Sequence, residues 1–190
     1  MMKLFRQLNP YQIVLLSYGT IILIGTILLM LPISVEGIPS LTFIDALFMS
    51  ASSVCVSGLS IFDMGNNFST FGQIVVIILV QIGALGIMTI TTILAVIMGR
   101  RIQLRDRLLI QESLQRWSVA GVVRLVIVIV KMTFFFEFVG GIILTIVFWS
   151  DYGPTAIYYG FWHAISAFCN AGFDILGGNN ISNYILNPIF

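Results

Sequence analysis

The sequence predicts an all-α membrane protein in which a unit of long helix, short re-entrant helix and second long helix is repeated. Three observations predict this class. The first is charge: nine Lys and Arg and eight Asp and Glu make up only 9% of the 190 residues, against roughly 25% in soluble proteins. The second is the 58% share of apolar residues, which exceeds what a small domain can bury. The third is an internal repeat.

The first long helix lies in a stretch without charges, Gln7 to Val35. At about 1.5 Å per residue this stretch is longer than the roughly 30 Å hydrocarbon core of a bilayer. It predicts a helix from Tyr11 to Leu31, ended by Pro32. A signal peptide is the alternative, but the apolar run is too long and no cleavage site of small residues follows it.

Two further long helices follow. The charge-free stretch Gly65 to Gly99 predicts a helix from Phe71 to Met98, which Arg100 and Arg101 close at a membrane surface. A third apolar stretch predicts a helix from Val119 to Trp149.

Two shorter apolar segments, Phe43 to Val56 and Thr155 to Phe168, lie between the long helices. Their length is typical of re-entrant segments rather than full crossings. Thr42 followed by Asp45 predicts a capping box at the start of the first segment. Pro154 suits the first helical position of the second segment.

The distribution of basic residues predicts the orientation. Lys3 and Arg6 precede the first helix, and six arginines lie between residues 100 and 124. Residues 32–70 carry only acidic charges, and no Lys or Arg follows Asp151. By the positive-inside rule, the N-terminus and the 100–118 loop are cytoplasmic, and both short segments enter from outside. We therefore expect a multi-pass protein of the cell membrane.

The repeat is centred on Gly58 and Gly172, which align at an offset of 114 residues. Ser52 then aligns with Ser166, and Cys55 with Cys169. We divide the chain into a first unit at 1–100, a cytoplasmic amphipathic connector at 101–118, and a second unit at 119–190. The second unit breaks off before its last helix.

Each glycine lies in a turn of small residues at membrane depth, where irregular backbone is tolerated when it is buried in protein or lines water. An extended strand there would direct carbonyl oxygens at a pore axis, where they could replace the hydration shell of a cation. Glycine permits the backbone conformations required, and the C-terminal ends of the short helices favour a cation. Glycines that only allow close helix packing are the alternative, but two aligned copies favour an ion-selectivity filter.

The chain resembles the Trk/Ktr/HKT superfamily of potassium transport proteins, and within it the Ktr membrane subunit. The resemblance is carried by residues 43–59 (FIDALFMSASSVCVSGL), 161–174 (FWHAISAFCNAGFD) and 81–88 (QIGALGIM). It implies a potassium-channel-like pore of four helix, pore helix with filter loop, and helix units. We expect this chain to hold the first unit and an incomplete second unit, so a complete pore requires more chain or more chains.

The resemblance also assigns the filter, partners and ion. It implies filter carbonyls at Val56, Ser57 and Gly58 in the first unit and at Asn170, Ala171 and Gly172 in the second. The flanking residues are Cys55, Leu59, Cys169, Phe173 and Asp174. Glycine at position 58 is the potassium-favouring choice of the family. Further implications are a homodimer, a cytosolic nucleotide-binding regulatory ring, K⁺ as the transported ion with Na⁺ left open, and no covalently bound cofactor. The connector then has two interpretations, an interfacial helix on anionic lipid or a docking surface for the ring.

Lys131 and Glu137 are the charged residues well inside a predicted span, and such residues are candidates for function. We expect each to face water or to pair with a helix outside this chain, as an interhelical anchor or in permeation. His163 is expected to pack or to form hydrogen bonds.

The remaining candidates flank the turns. Cys55 and Cys169 are expected to serve as small packing residues rather than as a redox pair. Asp174 and Asp63 either concentrate cations at the outer mouth or are ordinary solvated carboxylates.

These features favour passive potassium transport through carbonyl oxygens. The alternative is half of a broken-helix secondary transporter for another monovalent cation, such as sodium. The motifs GxSxG and HExxH do not occur, which argues against an enzyme. A net charge of +1 argues against nucleic-acid binding.

Overall fold

The computed structural model describes residues 10–37, 40–86, 89, 122–177 and 184. These residues form the helices α1 (Pro10–Leu29), α2 (Phe43–Val54), α3 (Met64–Asn67), α4 (Thr70–Leu85), α5 (Val122–Tyr152) and α6 (Ala156–Phe168). Within these ranges there is no strand, only an isolated antiparallel bridge between Val35 and Phe68. For the described residues, the prediction of an all-α fold is therefore confirmed.

The chain divides into two compact units by its internal contacts. One comprises Met1–Thr20 and Leu85–Met132, and the other comprises Ile21–Ala84 and Thr133–Phe190. Both glycine turns and the residues that support them lie in the second of these units. The predicted N-terminal basic residues and the connector at 101–118 lie outside the described residues.

Helices α1 and α2 begin close to their predicted positions. The 3₁₀ turn Pro32–Ser34 follows α1. At the start of α2 the Asp45 backbone N–H donates to Thr42 Oγ1 at 3.2 Å, and the Thr42 N–H donates to the Asp45 carboxylate at 3.2 Å. This reciprocal pair is the predicted capping box.

Helix α4 ends earlier than predicted. The sequence indicates one continuous helix to Met98, but the helix ends at Leu85, and Gly86 takes a φ of +76°. A left-handed glycine is a common way to end a helix. The prediction of an uninterrupted helix was wrong at this point, and all but Thr89 of the stretch from 87 to 98 lies outside the described residues.

Helix α5 is 31 residues long. The 3₁₀ turn Gly153–Thr155 connects it to α6 and contains Pro154. The prediction that Pro154 opens the short helix is therefore wrong by two residues, because the fixed φ of proline serves the 3₁₀ turn instead.

Length and apolar composition qualify one helical stretch among the described residues, Arg124–Phe168, to cross a membrane; α1, α2 and α4 are shorter apolar helices. Four phenylalanines of α5 each expose at least half of their surface: Phe134, Phe135, Phe136 and Phe138. Exposed apolar surface on this scale marks a contact with lipid or with protein.

The helices approach one another closely at glycines. A Cβ at Gly83 of α4 would lie 2.1 Å from the Val54 carbonyl oxygen at the end of α2. A Cβ at Gly141 of α5 would lie 2.6 Å from the ring of Phe161 in α6. Both distances are too short for a Cβ, so the main chain at the end of α2 lies directly against α4, and Gly141 makes room on α5 for the ring of Phe161.

Candidate functional site

The first glycine turn begins where α2 ends. The Val56 N–H donates to the Ser53 carbonyl at 3.2 Å, and the Ser57 N–H donates to the Ser52 carbonyl at 2.9 Å. These two bonds form a Schellman motif, which satisfies carbonyls at the end of a helix. Val56 occupies the left-handed position of the motif with a φ of +55°.

The second glycine turn repeats this pattern after α6. The Asn170 N–H donates to the Ala167 carbonyl at 2.9 Å, and the Ala171 N–H donates to the Ser166 carbonyl at 2.8 Å. Asn170 has a φ of +57°. Every donor and acceptor of the second turn is therefore 114 residues from its counterpart in the first.

The backbone of both turns departs from the extended strand expected from the sequence. Val56 and Asn170 are left-handed, and so are Gly58 and Gly172, with φ of +70° and +73°. The expectation of an extended strand was wrong at these positions. The Schellman motif changes the direction of the chain at the end of each short helix, before an extended segment can begin. Asparagine tolerates this conformation, but a β-branched residue such as Val56 rarely adopts it, so the first turn is strained.

A serine on each short helix ties down the far end of its turn. Ser52 Oγ donates to the Leu59 carbonyl at 2.7 Å, and Ser166 Oγ donates to the Phe173 carbonyl at 3.0 Å. The sequence alignment of the repeat pairs these two serines but assigns them no role.

Six main-chain carbonyls lie between the Schellman bonds and the serine bonds. Within the described part of the chain, none of them accepts a hydrogen bond. They belong to the residues predicted to line the filter: Val56, Ser57, Gly58, Asn170, Ala171 and Gly172. Because buried carbonyl groups almost always find a partner, these oxygens are candidates to bind water or a cation, although the Ala171 oxygen also packs against Gly58.

The two turns contact each other at Gly58. A Cβ on Gly58 would lie 1.8 Å from the Ala171 carbonyl oxygen, so no residue but glycine fits there. Ala171 and Phe173 are buried, whereas Ser57 and Leu59 are exposed. A Cβ on Gly172 would have no atom of the described residues within 4 Å.

A buried polar group contacts the start of the second turn. Gln81 Nε2 of α4 donates to Glu137 Oε1 of α5 at 2.8 Å, and Glu137 is 4% exposed. The Cys169 Sγ lies 3.6 Å from Gln81 Oε1. The expectation that Glu137 pairs outside this chain or faces water was therefore wrong, because a glutamine within the chain reaches it. Lys131 is exposed.

Helix α6 is anchored to α4 through Gln73. Tyr158 Oη donates to Gln73 Oε1 at 2.9 Å, and Trp162 Nε1 donates to the Gln73 carbonyl at 3.1 Å. The Gln73 amide group in turn donates to the carbonyls of Met64 and Phe68 at 3.0 and 3.2 Å. The sequence-based predictions did not include this residue, although a glutamine inside a predicted span is a signal for such a contact.

The two cysteines at equivalent positions of the repeat are not bonded to each other. Both thiols are free, with Cys169 buried and Cys55 exposed. Burial of Cys169 agrees with the predicted packing role, and exposure of Cys55 does not. The first turn lacks the Gln81 and Glu137 support that covers Cys169.

The two acidic residues near the turns have partners and line one cavity. Asp63 caps α3 by accepting from the Gly65 and Asn66 N–H groups. His163 Nε2 lies 3.1 Å from Asp174 Oδ1, so His163 has the predicted hydrogen-bonding role. A cavity of about 280 Å³ is lined by both aspartates together with Gly58 and Gly172. Cation attraction by these aspartates stays a prediction.

This chain matches one family of transport proteins along nearly the whole length of the chain. Residues 3–190 match the TrkH family of cation transport proteins. The chain therefore belongs to this family, and the resemblance stated from the sequence is confirmed.

Individual relatives carry more specific names. The chain is 40% identical to the Ktr system potassium uptake protein B of Bacillus subtilis over 181 residues, which are 95% of this chain and 40% of the relative. It is 34% identical to the potassium/sodium uptake protein NtpJ of Enterococcus hirae, over 94% of this chain and 40% of the relative. It is 36% identical to the Ktr system potassium uptake protein B of Vibrio alginolyticus, over 94% of this chain and 39% of the relative. The chain thus spans about two fifths of the length of these relatives.

Proposed function

We propose that this chain forms part of the pore-forming subunit of a Ktr/Trk-type potassium uptake system in the cell membrane. The observation that carries the proposal is a set of six carbonyl oxygens that accept no hydrogen bond from the described residues, those of Val56, Ser57, Gly58, Asn170, Ala171 and Gly172. They belong to two turns of the same backbone conformation that contact each other. Membership of a cation transport family supports the same function.

Potassium selectivity would come from main-chain oxygens that replace the water around the ion. The C-terminal ends of α2 and α6 carry partial negative charge and lead directly into the turns, which favours a cation there. Ser52 and Ser166 hold the next carbonyls along the chain, so the free ones keep a defined position. The ion moves down its electrochemical gradient, and the chain performs no covalent chemistry.

The complete pore would contain further turns from more of the chain or from other chains, since two turns surround only part of an axis. The names of the relatives, components of a Ktr system, support assembly with partners. We propose a homodimer and a cytosolic nucleotide-binding regulatory ring as those partners, with the N-terminus on the cytoplasmic side.

A broken-helix secondary transporter is the alternative class of protein. It predicts that polar side chains converge on the substrate, whereas the groups left available at these turns are main-chain oxygens. The potassium/sodium name of one relative supports sodium as a second transported ion.

The test is uptake of ⁸⁶Rb⁺, a potassium substitute, by a bacterial strain that lacks its own potassium uptake systems and expresses the protein. We expect uptake above that of the empty-vector strain, competition by K⁺, and none by choline. Addition of Na⁺ measures the discrimination between the two ions. Absence of uptake while the protein is present in the membrane fraction would contradict the proposal.

A further inference from the structure

The segment that leaves the second turn is bonded back to the short helix that enters it. His163 of α6 is 3% exposed, and its Nε2 lies 3.1 Å from Asp174 Oδ1. Asp174 comes two residues after Gly172. The pair therefore connects the helix before the turn with the chain immediately after it.

Both ends of the imidazole ring are held. His163 Nδ1 lies 2.8 Å from the Tyr159 carbonyl oxygen, and the ring meets Phe148 edge-on at a centroid distance of 5.6 Å. Oxygen atoms lie against both ring nitrogens, and the Ile175 N–H also points to Nε2 at 3.4 Å. Asp174 Oδ1 also accepts from the Leu176 N–H at 2.7 Å, which fixes the carboxylate as well.

The first turn has a counterpart at the same two positions. Met49 and Ser60 lie 114 residues before His163 and Asp174, and Ser60 Oγ contacts Met49 Sδ at 3.6 Å. A hydroxyl and a thioether form a weak, neutral contact, because sulfur is a poor acceptor. The contact between the His163 ring nitrogen and the Asp174 carboxylate oxygen is shorter, at 3.1 Å, and joins stronger hydrogen-bonding groups. The same connection is thus made in both repeat units with different chemistry.

We propose that His163 and Asp174 are a positioning pair that holds the oxygens of the second turn at the spacing potassium requires. The inference rests on the proposed function of that turn. Asp174 is bonded to the helix side chain, and its neighbour Phe173 is bonded to Ser166, so the outgoing segment is fixed at two successive residues. Release of the pair leaves the Ala171 and Gly172 oxygens with one support instead of two, and the larger K⁺ loses its advantage over Na⁺.

A different role for Asp174, attraction of cations to the outer cavity, makes the opposite prediction for His163. If Asp174 acted as a surface charge, loss of His163 would release the carboxylate from this contact and raise uptake of Na⁺ and K⁺ alike. A positioning pair predicts that loss of either partner acts in the same direction and changes the ratio of the two ions. The signs of the two single substitutions therefore separate the roles.

The experiment compares His163→Ala, Asp174→Ala and the double variant His163→Met/Asp174→Ser, which copies the pair of the first unit. Each is measured for inhibition of ⁸⁶Rb⁺ uptake by Na⁺, normalised to the amount of protein in the membrane. We expect each single variant to lose about three- to tenfold of its preference for K⁺ over Na⁺, the effect of one lost hydrogen bond. The double variant recovers part of that preference. Met49→Ala is the matched control in the first unit and changes the preference less.

Three results would overturn the inference: equal K⁺/Na⁺ preference in wild type and both single variants, opposite effects of the two single variants, or a double variant worse than both. A wild type without uptake contradicts the proposed function, not the pair. In that case the midpoint of thermal unfolding in detergent tests the pair directly. Additive losses in His163→Ala, Asp174→Ala and their combination would show that the two side chains do not act together.

Discussion

Val56 and Asn170 occupy the same position in successive turns and hold nearly the same left-handed conformation, with φ of +55° and +57°. Asparagine reaches this region easily, and a β-branched residue does so at a cost of roughly 1–3 kcal/mol. The same turn is therefore relaxed in one repeat unit and strained in the other.

Replacement of Val56 by Asn, the residue of the second turn, should relieve this strain. We expect the free energy of unfolding to rise by about 1 kcal/mol, measured as a higher midpoint of thermal unfolding in detergent. Val56→Ile, which keeps the branched side chain, is the control and should show no gain. Lower stability in Val56→Asn would mean that the valine side chain contributes more by packing than its backbone loses.

Replacement of Gly58 by Ala should displace the Ala171 carbonyl, since the new Cβ would lie 1.8 Å from that oxygen. We expect a loss of K⁺ over Na⁺ preference in ⁸⁶Rb⁺ uptake, with the protein still present in the membrane fraction. Gly58→Ser should act in the same direction.

Gly153→Ala is the matched control for Gly58→Ala. Gly153 also has a positive φ, +56°, but no described atom lies within 4 Å of its Cβ position. It reports the cost of the left-handed conformation alone, about 1–2 kcal/mol. Equal ion preference in the two variants would show that the contact with Ala171 is irrelevant to selectivity.

Ser166→Ala should free the Phe173 carbonyl and loosen the end of the second turn. We expect reduced discrimination between K⁺ and Na⁺ and a loss of stability of about 1 kcal/mol, the net value of one hydrogen bond. The control is Ser53→Ala. Ser53 is equally buried, but its hydroxyl donates to the Met49 carbonyl of its own helix at 2.7 Å. A shift in ion preference in Ser53→Ala as large as that in Ser166→Ala would contradict the role of Ser166.

Glu137→Gln and Glu137→Leu distinguish an anchor from a charge used in permeation. Glutamine retains an oxygen that can accept from Gln81, and leucine leaves the half-buried Gln81 amide without that partner, which costs about 1 kcal/mol. An anchoring role predicts near-normal uptake in Glu137→Gln and lower stability in Glu137→Leu. Strongly reduced ⁸⁶Rb⁺ uptake in both variants, at unchanged stability, would instead assign the charge to permeation.

The helices and the repeat could be predicted because they depend on local signals. Long apolar stretches placed α1, α4 and α5 to within a few residues at their starts, and the Thr42–Asp45 spacing indicated the capping box. The offset between Gly58 and Gly172 located both turns.

The conformation of the turns and the polar contacts could not be predicted in this way. A valine at positive φ contradicts its intrinsic preference, and only the two bonds of the Schellman motif impose it. Gln81 and Glu137 are 56 residues apart in sequence, and the signal for their pairing is only that a buried charge requires a partner. Gly86 ends a helix inside an apolar run, where hydropathy gives no sign of a break.

Gln73 forms hydrogen bonds both with residues that are translated before it and with residues that are translated after it. The carbonyls of Met64 and Phe68 that hold its amide are translated before it, whereas Tyr158 and Trp162 emerge from the ribosome some 90 residues later. Both acceptors of the Gln73 amide are thus synthesised before the second short helix. The segment that is synthesised first, with Gln73 on α4, therefore carries the groups to which α6 later bonds.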